Sequence, residues 1–352
     1  MPKTDQLPLY ELTRGELVES IHFGSIAISD NQGRLVGWYG DPNTRTFLRS
    51  SAKPFQAIPF IEQNGQAYFD LSLEEIALIC ASHSGTDKHV ATIQALQKKT
   101  GVSELELMCG THPIHDKSTV EEMRERGEEA TPNRHNCSGK HTGMLAFAHM
   151  HNWSTSDYLE LEHNVQVSIL RAFSEMSGVP VENIIIGIDG CSAPNFAVPL
   201  HNAALAFARL CDPQDFSRER ANACRMITSA MMENAFMVGG PGIFDTRLME
   251  VNSGQIVSKG GAEGYQALGI MPGALGADSP ALGIAFKISD GDLRSRARPA
   301  ISIEILRQLN ALTPEQESKL SKFGPSRTLK NWRDLEIGDS NPAFKLNLIS
   351  PY

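Results

Sequence analysis

Residues 21–39 read IHFGSIAISDNQGRLVGWY. Ile21 to Ile28 alternates apolar and small side chains, Asp30-Asn31-Gln32-Gly33 supplies turn-forming residues, and Arg34 to Tyr39 resumes strand-forming character. Successive strand side chains point to opposite faces, and Asn, Asp and Gly tolerate the positive φ that tight turns demand. The stretch predicts an N-terminal β-hairpin whose apolar face needs a partner.

Downstream the period changes. From about Ser51 to Glu233 the pattern is helical: Tyr158, Leu161, Val165, Ile169, Ala172 and Met176 recur at three- and four-residue steps until Gly178 and Pro180 end the run. Similar stripes lie near 73–80, 88–98, 140–150, 196–210 and 219–234. Period two then returns in Thr246 to Val251, Gln255 to Lys259 after a turn at Asn252-Ser253-Gly254, Tyr265 to Ile270 and Leu282 to Ile288. A helix is expected over Ala300 to Leu309, followed by a polar tail from about 324 to 352.

Strands at both chain ends with helices between them predict an α+β fold: a mainly antiparallel sheet flanked by helices. The expected organisation is a single domain over 1–352, with a helical block of about 51–234 inserted between the N- and C-terminal strands. No GxGxxG opens a helix after a strand and no GxxxxGK[ST] occurs, so dinucleotide and P-loop chemistry have no foothold.

The 352 residues are 41% hydrophobic and 21% charged, which suits an ordinary globular protein and excludes disordered, collagen-like and coiled-coil chains. Thirty-two Lys and Arg against 41 Asp and Glu leave a net charge of −9, so neither nucleic acid nor an anionic membrane is an expected partner. The six cysteines are sparse and show no disulfide-framework spacing, which favours a reducing compartment. With no apolar run of signal-peptide or bilayer-spanning length, the reading is cytoplasmic.

The strongest chemical signal is Arg49-Ser50-Ser51-Ala52-Lys53-Pro54-Phe55, an SxxK arrangement in which Ser50 precedes an expected helix and Lys53 lies one turn on. A serine hydroxyl is a poor nucleophile near neutral pH and needs a base in reach; lysine serves only as the free amine. The positive end of a helix dipole disfavours an ammonium at Lys53 and favours developing negative charge on Ser50. Pro54 biases Lys53 away from helical geometry, so the first turn is expected to be irregular. Taken alone the motif is weak evidence, and Ser50 reads more readily as a helix cap and Lys53 as a solvated side chain.

Two further segments add weight. Ala81-Ser82-His83-Ser84-Gly85 puts hydroxyls and an imidazole in a loop at a helix end, a place suited to moving protons. Val257-Ser258-Lys259-Gly260-Gly261-Ala262-Glu263-Gly264 sets a lysine at a strand end before glycines whose backbone can approach a ligand closely. Their order follows the SxxK, serine-loop and Lys-Thr-Gly order of serine β-lactamases and penicillin-binding proteins.

A more specific likeness covers residues 10 to 265 or so. GELVESIHFG at 15–24, the Ser50 segment, CGTHP at 109–113, NCSGKHTGM at 136–144, DGCSAP at 189–194 and KGGAEG at 259–264 resemble, in order, the rhizobial-type L-asparaginase II family. That resemblance implies a serine β-lactamase- and glutaminase-like fold, usually a homodimer, that hydrolyses L-asparagine to L-aspartate and ammonia. It implies Ser50 as nucleophile and Lys53 as its activating base, with Ser82 and Lys259 completing a Ser-Lys proton-transfer network. Arg49 is a candidate for pairing with the substrate carboxylate, with His83, Gly260 and Gly261 on the substrate-binding side.

The resemblance also implies one zinc ion per chain beside the active site, held by Cys137, Lys140 and Cys191. Ligand chemistry alone favours the two cysteines with His135 or His141, because only a neutral lysine binds zinc. Asp189, two residues before Cys191, is placed to hold a zinc-bound water or a hydrogen bond that supports the site. The alternative is that these cysteines are small buried hydrophobes, as expected for Cys80, Cys211 and Cys224 on apolar helical stripes. No organic cofactor is expected, and His22, His112 and His115 receive no role.

The competing readings are a glutaminase, a β-lactam-acylating serine hydrolase, a structural zinc module and a binding or sensor protein that has lost turnover. The last predicts damage at one of the four Ser and Lys positions, and all four are intact.

Overall fold

The computed structural model describes residues 6–349. The chain forms two compact units: one of Met1–Ser51, Val198–Asp212 and Ser258–Tyr352, and one of Ala52–Ala197 and Pro213–Val257. The observed class is α+β, as the sequence predicts.

The first unit is built on a 9-stranded sheet of the described residues. Its strands are β1 (Leu7–Arg14), β2 (Leu17–Asp30), β3 (Leu35–Tyr39), β4 (Ile256–Gly261), β5 (Tyr265–Ile270), β6 (Leu282–Ile288), β7 (Arg327–Lys330), β8 (Glu336–Pro342) and β9 (Asn347–Leu348). The order is β7-β8-β1-β2-β6-β5-β4, with β3 on β2 and β9 on β3. Long β2 organises it: its first half pairs with β1 and its second half with β3, while its other edge pairs antiparallel with β6 from Gly24↔Ile288 to Asp30↔Leu282. The stretch 21–39 is thus the β2–β3 hairpin, and buried Asp30 closes its turn by accepting the Gln32 and Arg34 N–H groups at 3.0 and 2.9 Å.

The Leu200–Cys211 helix lies on β2, β5 and β6. A Cβ at Gly283 would stand 1.8 Å from the Ala204 carbonyl oxygen, so helix and sheet approach backbone to backbone there. The tail from 324 is not loose within the described residues: β7 and β8 extend the sheet beyond β1, and Tyr10 Oη donates to Ser340 Oγ at 2.9 Å in the interior. Residues 350–352 of that expected tail lie outside the described residues.

The second unit is mostly helical and takes most of the expected helical block. Two glycines fix its central packing. At Gly139 a Cβ would stand 2.2 Å from the Leu78 carbonyl oxygen, and at Gly143 2.7 Å from Ile79 Cγ2. The Ser138–Met150 helix therefore sits directly on the Leu73–Ile79 helix, whose start is closed by a Ser72/Glu75 capping box.

Two local expectations are corrected. Residues 246–251 belong to a helix, Phe244–Asn252, not a strand: Phe244, Leu248, Met249 and Asn252 make a helical buried face that outweighs the apparent alternation. The helical block also contains an antiparallel hairpin, Ile185–Ile188 with Pro194–Pro199. Among the described residues no helix is long and apolar enough to cross a membrane.

Candidate active site

In the first unit, Ser50 lies in the one-turn 3₁₀ helix Arg49–Ala52, entered through Arg49 at φ 50° and followed in the chain by the Lys53–Glu62 helix. The turn before Lys53 is 3₁₀, but Lys53 itself, which Pro54 is expected to bias away from helical geometry, is the first residue of the regular helix, where a proline in the first turn forfeits no intrahelical hydrogen bond. Buried Ser51 donates its hydroxyl to the Lys259 carbonyl at 2.5 Å, tying the Ser50 turn to β4. At Gly261 a Cβ would meet the Leu48 carbonyl oxygen at 2.4 Å, so only glycine lets β4 pass so close beneath that turn.

Lys259 itself is buried, with Nζ donating to the Gly260 carbonyl at 3.0 Å. Behind the strand, Arg298 donates to Gln266 Oε1, and Gln266 Nε2 donates to Ser258 Oγ at 3.0 Å. Ser50 is half-buried, and Arg49 pairs loosely with Glu263 at 3.9 Å.

In the second unit, Lys53 opens its helix as a buried side chain. Its Nζ stands 2.5 Å from the Ala81 carbonyl oxygen, 2.8 Å from Ser82 Oγ and 3.3 Å from the Asn136 carbonyl oxygen. The Ala81–Gly85 loop follows the Leu73–Ile79 helix, as the sequence predicts, and Ser82 N–H donates to the Val238 carbonyl at 2.9 Å. His83 is fully buried: Nδ1 accepts the Gly85 N–H at 3.1 Å and Nε2 meets Ser138 Oγ at 2.9 Å. Ser138 Oγ in turn donates to the Asn133 carbonyl, so the His83 ring donates through Nε2 and braces the Ser82 loop against the Ser138–Met150 helix. Burial holds His83 well below the usual histidine range.

The same helix start carries Cys137 and Lys140. Both are buried with Cys191, and Lys140 Nζ lies 2.9 Å from Cys191 Sγ. A hydrogen bond with Cys191 holds the Cys137 thiol well below its ordinary range despite burial. Burial opposes the Lys140 charge, but the Cys191 and Cys137 sulfurs outweigh it and raise that lysine. His135 accepts the Cys137 N–H through Nδ1 at 3.0 Å, and burial pushes it down to about 4. His141 is engaged with Tyr158 Oη at 2.6 Å.

The sequence blocks and these side chains fall within residues 10–342, the span matched by the L-asparaginase II family profile. The chain belongs to the L-asparaginase II family. No curated protein sequence matches it significantly. Similar solved structures include a probable glutaminase from Bacillus subtilis complexed with 6-diazo-5-oxo-L-norleucine, at 13% identity over 82% of this chain and 84% of that one, TM-score 0.38. Another is a β-lactamase from Mycobacterium bovis, at 13% identity over 81% of this chain and 94% of that one, TM-score 0.42.

This L-asparaginase II family member is thus an amidohydrolase whose substrate is a small-molecule amide. The first unit brings Ser50 and Lys259 to one turn and strand, and the second brings Lys53 to Ser82. Among the described residues no three His, Cys, Asp or Glu side chains form a metal-binding group, so the trio favoured by ligand chemistry alone, two cysteines with His135 or His141, is not assembled. What assembles in this family member is two thiols and a lysine amine, with Asp189 near enough to favour the charged form of Lys140. Sequence reading missed the Ala81 and Asn136 carbonyls on Lys53, because a backbone acceptor leaves no residue signature.

Proposed function

We propose that this protein hydrolyses the side-chain amide of L-asparagine, giving L-aspartate and ammonia through an acyl-enzyme on Ser50. The observation that carries the reading is the setting of Lys53, with two carbonyl oxygens and one hydroxyl around its Nζ. In this reading the amine works in its neutral form, donating two N–H bonds to Ala81 and Asn136 and keeping its lone pair for a hydroxyl proton. That is what a general base for serine requires.

In this reading Ser50 Oγ attacks the carboxamide carbon while its proton passes to Lys53. The C–N bond then breaks as the leaving nitrogen takes a proton and departs as ammonia. Water adds to the Ser50 ester, its proton taken by the same base, and aspartate leaves as the Ser50 hydroxyl is restored. Ser82 and Lys259 relay protons and hold the developing oxyanion charge, Arg49 pairs with the substrate carboxylate, and backbone N–H groups at Ser50 and after Lys259, where Gly260 and Gly261 lie, supply oxyanion donors.

Zinc would fit two soft sulfurs and a lysine nitrogen, with a fourth position open, once the metal displaces the proton that the sulfurs otherwise favour on Lys140. Cys137, Lys140 and Cys191 would hold it, and zinc would supply Lewis acidity and order to the site. Asp189 would support that group through a hydrogen bond to a ligand or to a metal-bound water. The family resemblance supports a homodimer.

The test is ammonia release from L-asparagine and L-glutamine in parallel, on protein whose zinc has been counted. Faster turnover of asparagine supports the reading. Preference for glutamine would make the protein a glutaminase, a change that one methylene, about 1–3 kcal/mol, can produce.

A further inference from the structure

We propose that His112 is a positioning residue for Lys53, acting through the Asn136 backbone; this rests on the reading of Lys53 as the base. His112 Nδ1 lies 2.6 Å from the Pro113 carbonyl oxygen. A carbonyl only accepts, so Nδ1 carries the hydrogen and Nε2 keeps a lone pair. That lone pair accepts the Asn136 N–H at 2.9 Å. The next N–H in the chain, on Cys137, is accepted by His135 Nδ1 at 3.0 Å.

The carbonyl between those two N–H groups is the Asn136 carbonyl, the one that faces Lys53 Nζ at 3.3 Å. The Asn136–Cys137 peptide plane thus carries His135 on its N–H side and Lys53 on its C=O side, and His112 fixes the preceding plane. The two imidazoles pack edge to face with ring centres 4.3 Å apart, so each orients the other. Two imidazole acceptors on consecutive N–H groups form a clamp, and the clamp aims one of the two carbonyls that direct the Lys53 lone pair. Moving that carbonyl would rotate the lone pair without altering substrate contacts, so the loss belongs in kcat and not in KM.

The experiment compares kcat and KM for asparagine hydrolysis in wild type, His112→Leu, His112→Gln and Lys53→Ala, with zinc content and melting temperature measured for each. His112→Leu removes the acceptor and keeps bulk; kcat is expected to fall ~10–100-fold, the order that misplacing a catalytic group costs, with KM near wild type. His112→Gln offers an amide oxygen to the Asn136 N–H and is expected to recover most of the loss. Equal impairment of His112→Gln and His112→Leu, a loss confined to KM, or a loss that tracks melting temperature or zinc content would overturn the clamp. Wild-type kcat in His112→Leu beside an inactive Lys53→Ala would overturn the clamp alone. A fully active Lys53→Ala would instead overturn Lys53 as the base.

Discussion

Ser51 donates its hydroxyl to the carbonyl of Lys259, 208 positions away in sequence, at 2.5 Å. The residue beside the proposed nucleophile therefore anchors the strand that carries the second lysine. Removing this one buried bond in Ser51→Ala is expected to cost ~1–2 kcal/mol of stability and to lower kcat more than it raises KM. Urea unfolding and steady-state kinetics on the same preparation check it; unchanged values in both would mean that the bond holds nothing in place.

Lys53 and Ser82 form the other contact of the proposed machinery, at 2.8 Å. Lys53→Met and Ser82→Ala are each expected to lower kcat by ~10²–10⁴-fold, the usual contribution of a positioned acid or base. The double variant should be hardly worse than Lys53→Met, because groups acting as a unit are not additive. Fully multiplicative losses would show that the two act separately.

Gly139 packs where a Cβ would stand 2.2 Å from the Leu78 carbonyl oxygen. Gly139→Ala must separate the helix bearing Cys137 and Lys140 from the helix leading to Ser82, at ~1–3 kcal/mol. A lower melting temperature with a larger fractional loss of kcat is the expected pair of results. If alanine is accommodated without loss of stability, the two helices are less closely fixed than this packing requires.

Acid stability follows from buried histidines. His89 is lowered from its ordinary 6.5 to about 4 by burial, against a partial offset from the Phe236 carbonyl. Because its folded value is depressed, the unfolded state takes up protons first as pH falls. The stabilisation is fully present above about 6.5 and is lost progressively down to about 4, in total ~3 kcal/mol for this one group. His83 shifts in the same direction. In His89→Gln the decline of unfolding free energy between pH 6.5 and 4 is expected to be shallower than in wild type; an identical slope would remove His89 from the account.

Much of this was legible in the residues. The β2–β3 hairpin and strands β5 and β6 announce themselves by alternation and turn chemistry, since both faces of those strands meet fixed environments. Strand β1 did not, because register shifts at Pro8/Tyr10 and Leu12/Thr13 break its period. Thr246 to Val251 alternates by chance within a helix whose buried face is set by Phe244 and Leu248. For the site, Ser50, Lys53, Ser82 and Lys259 stand out as reactive side chains in order. The groups that aim them do not: the Ala81 and Asn136 carbonyls belong to the backbone, and His112 acquires a role only when the chain brings it to the Asn136 N–H.

The central claim is that Ser50 is the nucleophile, and ammonia release from L-asparagine by Ser50→Ala beside wild type, at matched folding and zinc content, tests it most directly. The account predicts robust release by wild type and loss of turnover in the variant, by at least ~10³-fold, as for removal of a covalent nucleophile. Release by Ser50→Ala at the wild-type rate would contradict it.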